Sequence, residues 1–151
     1  MRKAVEKGYE TLRKEHIADY RSFFARVNLQ LTDDVPAIPT DSLLYDCKSG
    51  KPSLYMDELL FQYGRYLLIA SSRKGALPPN LQGAWSQFQV APWTGGYWHN
   101  VNVQMNYWPA FNTNLAELFV SYVDYNELFV KRQTNRLPIM FEKTIRERCR
   151  I

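Results

Sequence analysis

The sequence predicts an all-α fold, with at most short strand segments near residues 26–31 and 98–105. Three stretches, residues 3–25, 54–70 and 115–129, carry apolar side chains spaced three and four residues apart. That spacing is typical of helices that bury one face. The chain has 151 residues, of which 46% are hydrophobic and 23% are charged. This composition suits one soluble globular domain with a core of its own.

The first predicted helix covers residues 3–25, and the segment after it is predicted to be extended. Residues 26–33 alternate apolar and polar side chains, which is typical of a short strand. Three prolines and a glycine between residues 36 and 52 indicate a loop. The apolar stripe of the helix, with Lys, Glu and Arg opposite, consists of Val5, Tyr9, Leu12, His16, Tyr20 and Phe23.

The second and third helices are predicted from their start signals and their stripes. Ser53 is a plausible N-cap for a helix over residues 54–70. That helix is apolar around most of its circumference, so we expect it to be buried on more than one side. Asn114 and Glu117 form an Asn-headed capping box before the third stripe. Between the two helices, residues 71–98 hold three prolines and four glycines, and a connection of this length is usually functional or disordered.

The charge pattern argues against a nucleic-acid-binding surface. The net charge is +4, but residues 130–151 hold seven Lys or Arg against two Glu, so the rest of the chain is at −1. A phosphate-binding face would spread Lys and Arg along a groove. No run of residues approaches the roughly 18 apolar residues of a membrane span. We therefore expect neither nucleic acid nor membrane as a partner.

The two cysteines, Cys47 and Cys149, form no metal or redox motif, although a disulfide between them stays open. The charged N-terminal residues do not resemble a secretory signal, which leaves the compartment undetermined. Nothing in the sequence calls for a cofactor.

The most informative segment lies between Trp98 and Trp108. Its amides at Asn100, Asn102 and Gln104 alternate with apolar residues, so an extended backbone would place the three amides along one edge. All four tryptophans lie within residues 85–111. Amides bond to sugar hydroxyls and aromatic rings cover the apolar faces of a sugar ring, so this composition suits a neutral carbohydrate. The alternative is an aromatic core with a polar turn.

Four stretches resemble glycoside hydrolase family 95, the inverting α-L-fucosidases. They are FQYGRYLLIASSRKGALPPNLQGAW (61–85), NVNVQMNYWPAFNTNLAEL (100–118), RVNLQL (26–31) and YVDYNE (122–127). The resemblance implies an (α/α)6 catalytic barrel, of which this chain would be a fragment. Residues 1–25 would form a linker helix and residues 26–129 the first part of the barrel. Residues 130–151 form a basic tail that is unlike the family.

The resemblance also implies a reaction, the removal of terminal α-L-fucosyl or α-L-galactosyl residues with inversion. Its N-x-N motif matches Asn100 and Asn102, whose amides would help a carboxylate base to act on water. An amide can orient water but cannot take its proton, so the catalytic acid and base must be carboxyl groups. In the family both lie further along the chain than residue 151. The carboxyl groups within this chain fit those roles poorly: they are Asp57, Glu58, Glu117 and Asp124.

Further sugar contacts are predicted from Gln82, Trp85, Trp98 and His99, for each of which structural packing is the alternative. The expected partner is a fucosylated oligosaccharide. Two other functions stay open at this point. The chain could be a non-catalytic carbohydrate-binding or interaction module, or a truncated gene product with no function of its own.

Overall fold

The computed structural model describes the backbone of residues 2–99 and 101–148, and the side chains of residues 3–99 and 101–134. Within these residues there is no β-strand, only an isolated bridge between Asn80 and Gly83, so the all-α prediction is confirmed. Two 3₁₀ turns cover Pro92–Gly95 and Ala116–Phe119. The helices are α1 (Arg2–Lys7), α2 (Tyr9–Phe24), α3 (Thr40–Lys48), α4 (Leu54–Ser71), α5 (Asn102–Tyr107), α6 (Pro109–Asn112) and α7 (Val120–Arg148).

The chain divides into two compact units. The first runs up to Ser71 and also includes Trp108–Ala116. The second consists of Ser72–Tyr107 and the chain from Glu117 onward. No helix within the described residues combines the length and the apolar character that crossing a bilayer requires.

Arg65 joins α2 to α4 inside the first unit. Its side chain is 2% exposed, and one guanidinium nitrogen donates to the carbonyls of Phe24 and Val27, both at 2.9 Å. The other terminal nitrogen donates to the carbonyl of Phe23 at 3.0 Å. These carbonyls lie at and just after the end of α2, where a helix leaves its last carbonyls without regular helical partners. The Phe23 carbonyl also accepts the N–H of Arg26 at 3.4 Å. The buried cation therefore caps α2 from the neighbouring helix.

The strand predicted for residues 26–33 is wrong. The segment is irregular, and the backbone N–H groups of Leu31 and Thr32 donate to the carboxylate of Glu58 on α4, the second at 2.7 Å. A strand needs a second strand to take up its backbone hydrogen bonds. Here a side chain takes that place, so the alternating pattern did not produce a strand.

Helix boundaries differ from the prediction where glycine and proline are involved. The first predicted helix is divided at Gly8, whose φ of 73° is a left-handed value that glycine adopts without steric cost. Helix α3 lies inside the segment that was predicted to be a loop, because Pro39 stands at its N-cap rather than within it. Ser53 caps α4 as predicted, since its hydroxyl accepts the N–H of Met56 at 3.3 Å.

The buried residues of helix α4 do not share one face. Met56 and Ile69 are both buried, and their separation of 13 residues places them about 140° apart around the helix axis. The helix is therefore buried on more than one side, as the sequence predicted. Burial is incomplete on the side of Met56, where Leu60 and Tyr63 are 55% and 54% exposed.

Replacing Arg65 tests the cap between α2 and α4. Arg65→Met keeps the length of the side chain but leaves buried carbonyls without a donor, at about 1–3 kcal/mol for each such group. We expect the free energy of unfolding of Arg65→Met, measured by urea denaturation, to fall by about 3 kcal/mol. Arg13→Met, on the exposed surface of α2, is the matched control and should change it little. Equal stability of Arg65→Met and wild type would show that the cap contributes nothing.

Candidate functional site

Helix α5 carries the described half of the N-x-N motif. Asn102 is its first residue and is exposed, while Asn100 lies outside the described residues. The extended backbone predicted for 98–105 is wrong from residue 102 on, because Val103 and Tyr107 are both buried, each with 1% of its surface exposed. Residues two apart share one face of a strand but lie about 200° apart around a helix, and residues 102–107 are helical. The amides of Asn102 and Gln104 therefore do not line one edge.

Tyr107 anchors the end of α5. Its phenol oxygen lies 2.8 Å from the hydroxyl of Ser72. Its ring packs against Phe119 and Tyr122 at centroid distances of 5.8 and 5.5 Å. Burial raises the pKa of the phenol, and the hydrogen bond with Ser72 lowers it by a smaller amount. The group is a neutral, fully packed support for the helix that presents Asn102.

Gln82 and Trp85 lie together on the long connection. Both line an open depression of about 660 Å³, together with Phe88 and the residues between. Asn80 shapes the turn that carries Gln82, because its side-chain oxygen accepts the N–H of Gln82 at 2.7 Å. Gly83 has a φ of 69°, and a Cβ added to it would lie 3.0 Å from the Trp85 ring. Glycine at this position therefore allows both the turn and the close approach of the indole.

Trp98 and His99 are neighbours in sequence with different surroundings. Trp98 is 54% exposed and has a φ of 47°, a conformation that a residue with a bulky side chain rarely adopts. His99 stacks on Tyr125 and Phe129 at centroid distances of 5.4 and 5.0 Å. Its Nε2 atom is buried without a hydrogen-bond partner among the described residues. Trp98 is thus accessible to a ligand, while the ring of His99 belongs to an aromatic stack.

The structure brings some predicted residues together and adds others. Gln82 and Trp85 share one depression, and Asn102 and Trp98 are exposed, as a ligand contact requires. Sequence reasoning missed the stack around His99, which Tyr97 joins through Tyr125 at 4.6 Å. Tyr125 and Phe129 do fall on the predicted third stripe. The stripe indicated that they would pack, but it did not indicate against which side chain.

The carboxyl groups occupy separate places. The carboxylate of Glu58 is engaged by the backbone of residues 31 and 32 in the first unit. In the second unit, Asp124 and Glu127 line a depression of about 360 Å³ together with Lys131 and the 75–77 segment. No residue is common to that depression and to the one lined by Gln82 and Trp85.

Comparison with known proteins defines the class. The glycosyl hydrolase family 95 catalytic domain matches residues 8–144, so the chain belongs to that family. The chain is 44% identical over 118 residues to "Probable alpha-fucosidase A" of Aspergillus niger, a match that covers 76% of this chain and 15% of that protein. It is 41% identical over 128 residues to the protein of the same name in Aspergillus oryzae, with 82% and 18% covered.

A plant relative extends the same comparison. "Alpha-L-fucosidase 2" of Arabidopsis thaliana is 41% identical over 124 residues, which cover 78% of this chain and 14% of that protein. The matched part thus spans less than a fifth of each of these three relatives. The predicted boundaries after residues 25 and 129 stay predictions.

The anchor of α5 can be tested by pH. Tyr107→Phe keeps the ring but leaves the hydroxyl of Ser72 unpaired, which should lower the free energy of unfolding by about 1–2 kcal/mol near neutral pH. Because the pKa of Tyr107 is higher in the folded state, its contribution to stability is fully present below the unfolded phenol pKa of about 10. That contribution is lost as the pH rises through the pKa of the folded state. Stability measured between pH 8 and 11.5 should therefore fall less steeply in Tyr107→Phe than in wild type. A residual slope is expected, because burial also raises the pKa of Tyr20 and of Tyr97.

The control for that series is Tyr9→Phe, at a position that is 74% exposed. Its pH profile should match the wild-type profile. Identical profiles for Tyr107→Phe and wild type would contradict the assignment of Tyr107 as a buried anchor.

Proposed function

We propose that this chain supplies one wall of the sugar site of an inverting α-L-fucosidase. The observation that carries the proposal is the exposed amide of Asn102 at the start of a helix whose other end is buried and hydrogen-bonded. The choice of fucose as the sugar rests on the names of the relatives. The catalytic role of Asn102 rests on the resemblance of the N-x-N motif to that of the family. Terminal α-L-galactosides, which are closely similar in shape, are the second substrate class.

The chemistry of the exposed groups suits a neutral sugar. Gln82 and Asn102 each offer a donor and an acceptor for sugar hydroxyls. Trp85 and Trp98 are 46% and 54% exposed, so each presents indole surface that can cover the C–H face of the ring. No charge is required at such a surface, since fucose and galactose are uncharged.

The proposed catalytic role of the Asn pair is to orient water. In an inverting hydrolase a carboxylate activates a water on the face of the sugar opposite the leaving group, and the two carboxyl groups are about 6.5–9.5 Å apart. One amide of the pair Asn100 and Asn102 would accept a hydrogen bond from one O–H of that water, and the other would donate an N–H to one of its lone pairs. The second O–H then points to the carboxylate, and the second lone pair points toward the anomeric carbon. The carboxylate must still take the proton.

Catalysis can be measured in a chimera in which residues 8–129 of this chain replace the matching segment of the Aspergillus niger relative. We expect the chimera to hydrolyse an aryl α-L-fucoside, and Asn102→Ala or Asn100→Ala to lower kcat by about 10²–10³-fold, on the scale of a lost oxyanion-hole donor. KM should change far less, because the contact to water is gained mainly in the transition state.

Two features of that experiment keep it decisive. Asn112→Ala, an exposed Asn at the end of α6, is the matched control and should leave kcat unchanged. Thermal stability is measured on the same variants, because amides that only brace the backbone would lower Tm and spare kcat. Wild-type kcat in a folded Asn102→Ala chimera would refute the proposed role.

The 151-residue chain by itself should not hydrolyse an aryl α-L-fucoside above background. No carboxyl group in it is assigned as acid or base, and the loss of either one typically costs about 10²–10⁴ in rate. Binding of the sugar without turnover would fit this expectation. Robust turnover by the purified chain would show that its own carboxyl groups are catalytic.

A further inference from the structure

Three segments that carry predicted sugar contacts meet at the turn formed by residues 79–83. The side-chain nitrogen of Asn106 on α5 donates to the carbonyl of Pro79 at 3.3 Å. The backbone N–H of Leu81 donates to the carbonyl of Gly96, two residues before Trp98, at 3.4 Å. All of these residues belong to the second unit.

The turn itself is held from within. Gly83 donates its N–H to the carbonyl of Asn80 at 2.9 Å, and the Asn80 side chain accepts the N–H of Gln82. The opposite end of the Asn80 amide lies close to Gly95, since a Cβ added there would be 3.4 Å from its nitrogen. Movement of this turn would therefore displace Gln82 directly.

Asn106 lies on the same face of α5 as Asn102. The two residues are four apart, and side chains with that spacing stand one above the other on a helix. The hydrogen bond from Asn106 to Pro79 therefore turns the face that carries Asn102 toward the turn that carries Gln82. Tyr107 anchors the adjacent face of the helix through its hydrogen bond to Ser72, whereas Asn106 supplies the link to this turn.

We propose that Asn106 is a positioning residue that holds Asn102 and Gln82 in register as one sugar-contacting surface. The proposal rests on the proposed function, because the surface has a role only if a sugar binds there. Asn106 itself touches no substrate in this account. It acts through the position of α5 relative to the turn.

The donor is the property that matters. Asn106→Asp keeps the shape of the side chain, but its carboxylate cannot donate and faces the negative end of the Pro79 carbonyl. Asn106→Gln keeps the amide donor on a side chain that is one methylene longer. If Asn106 acts through this hydrogen bond, the Gln variant should recover most of what the Asp variant loses.

The experiment uses the whole 151-residue chain, labelled with ¹⁵N and titrated with L-fucose, with D-glucose as the control sugar. The side-chain amide signals of Gln82 and Asn102 and the indole signals of Trp85 and Trp98 are followed. We expect Asn106→Asp to bind L-fucose about three- to tenfold more weakly, the equivalent of one hydrogen bond. In the sugar-free protein the same variant should shift the signals of Gln82 and Asn102, while Asn106→Gln stays near wild type on both measures.

The matched control is Asn112→Asp, which introduces the same change at an exposed position of the first unit. It should alter neither affinity nor the four followed signals. Tm is recorded for every variant, because a merely structural role would move Tm and spread shifts over the whole spectrum. If Asn106→Asp does not fold, Asn106→Ser, whose side chain is too short to reach Pro79, is measured instead with the same criteria.

The possible results separate the two proposals. Wild-type affinity and unshifted Gln82 and Asn102 signals in a folded Asn106→Asp protein would overturn the positioning role and leave the proposed function standing. No response of the wild-type chain to L-fucose would count against the proposed function. In that case the sugar-free spectra test whether Asn106 positions Gln82 and Asn102. Unshifted Gln82 and Asn102 signals in Asn106→Asp would overturn that role.

Discussion

The buried hydroxyl of Tyr107 is the constraint on which the candidate site depends. A phenol that is 1% exposed must keep its hydrogen bond to Ser72, because an unpaired buried polar group costs about 1–3 kcal/mol. In the helix that begins at Asn102, Val103 and Tyr107 lie one turn apart and are buried together. The exposed amide of Asn102 is a consequence of what is buried on the other side.

In the first unit the buried polar side chain that makes such hydrogen bonds is a charged one, Arg65. Arg65 is buried, and its guanidinium donates to carbonyls at and just after the end of α2. Burial lowers the pKa of Arg65, but guanidinium groups titrate so high that it stays charged. In each unit a single buried polar side chain thus makes hydrogen bonds that help to hold a helix in place.

The sequence predicted best what local chemistry determines. Ser53 caps α4 because a cap needs only the next three residues, and the helical periodicity survived in α4 and α7. The strand at 26–33 and the extended 98–105 segment failed because alternation does not reveal which partner takes the hydrogen bonds. Gln82 and Trp85 were found by composition and do lie together. The stacking of His99 on Tyr125 could not be found, because it depends on contacts between residues far apart in sequence.

The central claim is that exposed amides and indoles of the second unit form a sugar-contacting wall. The most direct test is to locate bound L-fucose on the chain by intermolecular nuclear Overhauser effects. The account predicts contacts from the sugar C–H and methyl protons to the Trp85 ring, together with contacts to the side-chain amides of Gln82 and Asn102. Contacts confined to the depression lined by Asp124 and Glu127, with none to Trp85 or Asn102, would contradict it.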